Sequence, residues 1–165
     1  MLEKESNVKN SMQFNFEIQM HYGEKGIRSV LLQPSKKGFH WSFSSLHYDK
    51  NIENLVEKWI KAYEQKQVSD VQLPFDWTAI PSFTQQVLQF VATIPFGSVT
   101  TYGQIAHLLD NPGAARAVGG ACGRNPFVLL IPCHRVLDAQ QELRGYSAGG
   151  LSVKKELLAF EKTKS

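Results

Sequence analysis

Between positions 12 and 22 apolar and polar residues alternate without a break. Met12, Phe14, Phe16, Ile18, Met20 and Tyr22 share one face of an extended chain, and Gln13, Asn15, Glu17, Gln19 and His21 share the other. That two-residue period predicts a half-buried strand. GEKG at 23–26 predicts a turn into a second strand over 27–32, and 39–43 has the composition of a third. From Asn51 to Gln67 the period lengthens. Leu55, Val56, Trp59, Ile60 and Tyr63 make a helical stripe opposite a charged face. Residues 12–67 therefore read as a small sheet with one helix, and nothing in them forms a chemical constellation.

Residues 68–80, broken by Pro74, read as a linker. Beyond it the pattern is one of short helices. Ser82 is the expected N-cap of a helix carrying Phe83, Val87, Leu88, Phe90 and Val91. A turn at 95–97 leads to a helix from Thr100 or Thr101 to Leu109, NPG at 111–113 turns the chain, and AARAVGGAC opens another helix. Two short helices joined by a tight turn have the helix-turn-helix plan. The second of them is almost bare: beside Ala115, Ala117, Gly119 and Gly120 its large residues are Arg116 and Val118. Each glycine costs a helix about 1 kcal/mol relative to alanine. Close approach of DNA would account for that cost, and so would tight packing against the protein itself. The expected division is an α/β scaffold domain over 1–78 and a mostly helical domain over 79–165.

Charge sharpens this division. Up to position 80 ten basic residues balance ten acidic ones, whereas the remainder has eight against five, so the net +3 lies wholly in the second half. Four of the five arginines (Arg116, Arg124, Arg135 and Arg144) fall there, suited to phosphate contact or to an ordinary solvated face. The polar start lacks a signal-peptide core, and the longest apolar run, 127–131, is too short for a membrane span. Cys122 and Cys133 cannot build a disulfide framework and match no zinc spacing. A cytoplasmic protein with no membrane partner, metal or cofactor is expected.

The most specific segment is FVLLIPCHRVL at 127–137: an apolar run predicted as a buried strand, stopped by Pro132, then Cys133, His134 and Arg135. A cysteine nucleophile reacts as the thiolate, which a neighbouring imidazole or cation favours. Consecutive strand residues point to opposite faces, so direct contact of Cys133 with His134 requires a turn, which Pro132 can supply. Taken alone, the pair is better described as an inert buried thiol beside surface His and Arg.

The wider context is distinctive. IPFGSVTTYGQIA, ARAVGGACGRNP, IPCHRVL and GYSAGGLSVKKELLAFE closely resemble, in order and spacing, the blocks of the O6-alkylguanine-DNA alkyltransferases. They cover nearly everything from Phe83 to Glu161, whereas residues 1–80 share only size and general character. The resemblance implies a ribonuclease H-like N-terminal domain and a winged-helix-like C-terminal one. It implies a monomer that binds double-stranded DNA through the minor groove, where small residues such as Ala115, Ala117 and Gly119 permit close approach. Arg116 would fill the stack left by a flipped O6-alkylguanine, Tyr102 would rotate the nucleotide and hydrogen-bond the purine, and Arg124 and Arg135 would touch DNA. From the residues alone, Tyr102 also suits a core aromatic. Cys133 would be the nucleophile, His134 its base through a water, Glu161 the orienter of His134, and Asn125 a bridge to the helix-turn-helix. Pro132, Val136, Tyr146, Ser147 and Ala148 would form the pocket, with the carbonyls of Cys133 and Val136 accepting the guanine amine. The implied reaction is a single, irreversible alkyl transfer from O6 of guanine, and the same chemistry would extend to O4 of thymine.

Three departures stand out. GYSAGG is one residue longer than the common YSGG form, leaving Ser147 and Ala148 as alternative lid residues. Cys122 occupies a place where relatives often carry a bulky apolar residue. Gly123-Arg124 stands where some carry Arg-Gly. A non-catalytic module recognising alkylguanine is the main competing function, but such relatives usually have tryptophan at the position of Cys133. A thiol hydrolase would leave the Arg116 helix unexplained.

Overall fold

The computed structural model describes residues 4–7 and 15–162. The chain divides into two compact units at Thr78/Ala79. In the first, β1 (Lys4–Asn7), β2 (Phe16–Gly23), β3 (Gly26–Pro34) and β4 (His40–Ser44) form one sheet in the order β1-β4-β2-β3. β2 pairs antiparallel with β3 and parallel with β4. The alternation reads through to burial, because Phe16, Ile18, Met20 and Tyr22 are all buried. Met12 and Phe14 lie outside the described residues. β1 has no counterpart in the hydrophobic pattern, since KESN carries no alternation.

Helix α1 (Lys50–Glu64) starts where Asp49 caps the amides of Asn51 and Ile52, and it ends three residues before the expected limit. Its buried stripe is Ile52, Glu53, Val56, Ile60 and Tyr63, displaced from the expected one. Leu55 and Trp59 are half-buried, with Trp59 stacked on Tyr63. Glu53 turns inward because the Tyr22 hydroxyl donates to it at 3.0 Å. The expected linker is not free either. Ile27 and the 74–76 strip exchange backbone hydrogen bonds of 2.7 and 2.8 Å. Gly26, at φ +120°, allows that approach: a Cβ there would meet the Pro74 carbonyl oxygen at 2.4 Å.

The second unit comprises α2 (Ser82–Ala92), β5 (Thr100–Thr101), α3 (Tyr102–Leu108), a 3-10 turn at Pro112–Ala114, α4 (Ala115–Gly123), a 3-10 turn at Cys133–Arg135, β6 (Val136–Leu137) and α5 (Gly150–Lys162). α4 packs on α2 and α3. Ser82 is not the N-cap of α2. Pro81 occupies that position, no side chain caps the helix, and the Pro81 carbonyl accepts from Gln85. Thr101 caps α3 in a reciprocal capping box with Gln104, which fixes Tyr102 as the first helical residue.

The expected strand over 127–131 is a turn. Leu129 sits at φ +70°, and the Ile131 amide donates to the Phe127 carbonyl at 2.8 Å. In place of a neighbouring strand, the Asn125 side chain accepts from the Phe127 amide and donates to the Ile131 carbonyl, both at 2.9 Å. All five residues are buried, which gives the segment the composition of a core strand.

Candidate active site

After Pro132 the chain makes the single 3-10 turn Cys133–Arg135 and then pairs β6 with β5 in parallel. This turn sends Cys133 toward Asn125 and both His134 and Arg135 toward Glu161. Cys133, 3% exposed, has its Sγ 3.1 Å from the Asn125 amide nitrogen. His134 is fully buried, and its Nε2 meets Glu161 Oε1 at 2.8 Å, leaving Nδ1 without a hydrogen-bond partner among the described residues. Arg135 also turns inward. Its Nε and Nη2 bind Glu161 at 2.8 and 2.9 Å and its Nη1 donates to the Ile94 carbonyl at 2.6 Å, while its guanidinium lies over the Phe96 ring. The expectation that Arg135 contacts DNA is therefore corrected, because all three guanidinium nitrogens are engaged internally.

These placements set the resting charges. Burial pushes the Cys133 thiol up, against the opposing Asn125 amide and Lys154 charge. Burial pushes His134 down, outweighing Glu161, so the imidazole is held neutral. Burial alone would raise Glu161. Hydrogen bonds from His134 and Arg135, with the charge of the arginine, instead hold it at about 2. The Gly97 amide adds a further donor at 3.3 Å. The resting arrangement is thus a protonated thiol, a neutral imidazole and an ionised carboxylate. The histidine acts on the thiol through its backbone amide, while its imidazole and the Arg135 guanidinium are turned to Glu161.

Lys154 is the functional candidate that the sequence reading missed. It is fully buried and donates to the carbonyls of Val136 at 2.7 Å and Arg144 at 3.2 Å. The available signal was its spacing: Lys154 and Glu161 are two helical turns apart on α5, on a face shared with Leu157 and Leu158. Its ammonium supports the pocket and favours the Cys133 thiolate from inside.

A cavity of about 470 Å³ opens above the thiol, bordered by Tyr102, Gly119, Cys122, Cys133, Tyr146 and Ser147 among others. Tyr102 is half-buried there, and burial pushes its hydroxyl up to about 12, so it remains a donor. Ser147 is exposed at the rim. Pro132, Val136 and Ala148, expected in the wall, are buried and do not border the cavity. Cys122 does, with a thiol that burial pushes up to about 12. Both cysteines are free thiols.

On α4, Arg116 and Ala117 are exposed and Ala115 and Gly119 half-buried, and Arg124, which caps the helix, is exposed. The two middle glycines can be weighed directly. A Cβ at Gly119 would touch the Tyr102 ring at an ordinary 3.9 Å, and one at Gly120 would meet only the movable Arg124 guanidinium, at 3.3 Å. Neither glycine is demanded by backbone packing within the protein. Among the described residues no group of three or more His, Cys, Asp or Glu side chains could hold a metal ion, and no helix is long and apolar enough to cross a membrane.

Residues 82–163 match the family model of the 6-O-methylguanine DNA methyltransferase DNA-binding domain. A methylated-DNA–protein-cysteine methyltransferase of Cricetulus griseus is 44% identical over 117 residues, 66% of this chain and 56% of that protein. One of Mycolicibacterium paratuberculosis is 37% identical over 133 residues, covering 81% of this chain and 75% of its own length. The crystal structure of Mycobacterium tuberculosis OGT in complex with DNA superposes with a TM-score of 0.67 at 28% identity, covering 88% of this chain and 92% of that one. The chain spans little more than half the length of the Cricetulus griseus relative.

Proposed function

Because the chain belongs to the methylated-DNA–protein-cysteine methyltransferase family, we propose that it repairs DNA by moving an alkyl group from O6 of guanine to Cys133, once per molecule. The observation that carries this reading is the Cys133 thiol on the floor of a cavity, with the His134–Glu161 pair behind it. The bare, Arg116-bearing surface of α4 supports a DNA partner.

The chemistry follows from the resting charges. The Cys133 proton passes through solvent to His134 Nδ1, and the imidazolium formed is stabilised by Glu161 at 2.8 Å. The sulfur attacks the alkyl carbon, the carbon–O6 bond breaks, and the electron pair departs with the purine. Tyr102, still protonated, meets the developing negative charge as a hydrogen-bond donor. Asn125 holds the thiol and the 127–131 turn with one amide. The product is a thioether, which no neighbouring group can cleave, so the protein acts once. O4-alkylthymine would react by the same displacement.

Ala115, Ala117 and Gly119 let the helix enter a minor groove, Arg116 occupies the space of the flipped nucleotide, and Arg124 meets phosphate. The finer architecture is proposed as a ribonuclease H-like sheet-plus-helix unit followed by a winged-helix-like unit. The protein acts as a monomer in the cytoplasm, where thiols stay reduced.

Intact-mass spectrometry after mixing with a duplex containing one O6-methylguanine tests the reading. The expected result is one added methyl group per protein, mapped to the peptide holding Cys133. Lesion-selective binding with no change in mass would instead favour a recognition module. Arg116→Ala should slow repair of the duplex more than reaction with free O6-benzylguanine, and equal losses would exclude the stack-filling role.

A further inference from the structure

The geometry points to the Tyr146 hydroxyl as a positioning residue that, with His134 Nδ1, holds the solvent molecule through which Cys133 loses its proton. This inference rests on the alkyl-transfer reading and adds a residue to it. His134 Nδ1 and Tyr146 Oη are both buried side-chain atoms of the active site without a hydrogen-bond partner among the described residues. Their rings stand edge to face, 82° apart, with centroids separated by 6.4 Å. Tyr146 also borders the cavity into which Cys133 opens.

Buried polar atoms are nearly always partnered, and a buried water makes about three hydrogen bonds. Cys133 Sγ, His134 Nδ1 and Tyr146 Oη together supply that number. The Tyr146 hydroxyl feels the charges of both Cys133 and Glu161, the two ends of the proton path, and burial raises its pKa well above 10, so it does not ionise in the process. It can donate to the solvent oxygen, which then accepts the thiol proton while passing one of its own to His134. The charged and titratable groups around this path are Glu161 and Arg135 at the far side of the imidazole, Lys154 beside the thiol, and Cys122, Tyr102 and Arg144 around the cavity. None of them reaches Nδ1 by a hydrogen bond, which leaves Tyr146 as the side chain placed to orient the solvent. The ring of Tyr146 would serve as a pocket wall without its hydroxyl, so the two roles are separable.

Tyr146→Phe keeps the wall and removes only the oxygen. In single-turnover reaction with O6-benzylguanine it is expected to lower the rate at pH 7 about tenfold, with duplex DNA affinity unchanged and the deficit closing at high pH, where hydroxide removes the proton. In a His134→Gln background the same substitution should add little, as expected for two residues acting through one solvent molecule. Wild-type rates across the pH range would overturn the assignment. So would a pH-independent loss, or losses that multiply in the double variant, because each describes a wall and not a relay. Alkylation of Cys133 by iodoacetamide, followed over the same pH range, separates this from the function itself. If the wild-type chain transfers no benzyl group, the repair reading fails. A Tyr146→Phe titration of Cys133 displaced upward by ~1 pH unit would still support the relay, and an undisplaced one would overturn it.

Discussion

Among the described residues Glu53 and Glu161 are the two buried glutamates, one in each unit, and their surroundings differ in kind. Glu53 is buried in the first unit, where its partner, the Tyr22 hydroxyl, donates to it and accepts from the Asp49 amide. Glu161 accepts from His134 and Arg135, and the second unit also buries Asn125 at the Cys133 sulfur and Lys154 against the Val136 carbonyl. Buried charge is costly unless it is paired and hydrogen-bonded. The first unit meets that constraint by almost avoiding charge. The second satisfies it with a network whose members also hold the thiol, the base and the pocket. Stability and chemistry are separable in residues 16–64 and coupled in residues 125–161.

The largest effect should come from Cys133→Ala, which ought to remove all alkyl transfer while leaving DNA binding and the unfolding midpoint nearly unchanged. Loss of folding instead would mean that the thiol is core and nothing more. Next in size, Glu161→Ala should cost about 3–5 kcal/mol in denaturant unfolding, since it strands two buried partners. Glu53→Ala should cost only about 1 kcal/mol, the worth of one hydrogen bond. Equal costs would dissolve the contrast between the units.

The same contrast should appear in acid. Glu161 is depressed to about 2 in the folded state against an ordinary value of 4.5. Its contribution is therefore complete above 4.5 and is lost as the pH falls from there toward 2. Glu161→Gln should flatten the acid-unfolding profile of the second unit in that window, and an unchanged profile would show that another group governs it. The smallest effects concern the helix caps. Asp49→Ala and Thr101→Ala should each cost about 1 kcal/mol, but only the second should also slow alkyl transfer, because Thr101 fixes the start of the helix that presents Tyr102.

Legibility in the sequence follows the same boundary. The alternation at 16–22 and the helix after Asp49 could be read because each element buries one face, and periodicity reports which face is buried. The block around Cys133 could be read by resemblance. What escaped were features decided by distant partners. Arg135 has the composition of a DNA contact until Glu161, 26 residues later, takes its guanidinium. Phe127–Ile131 looks like a strand because every side chain is buried, and burial on all sides erases the period that separates strand from turn. An amide side chain from Asn125, outside the segment, makes the difference. Lys154 was hidden among the surface-like lysines of α5, although its register with Glu161 and Leu157 marked the inward face.

The small residues of α4 carry one more consequence. Between Ala115 and Gly123 the exposed side chains are little more than methyl groups and Arg116. Base identity is read by donors and acceptors reaching the edges of the pairs, and this surface has almost none to offer. A protein with such a surface cannot spell. In the proposed repair role it would patrol the genome without regard to text, stopping where a pair yields easily, so its efficiency should follow the local softness of the duplex and not the letters flanking the lesion.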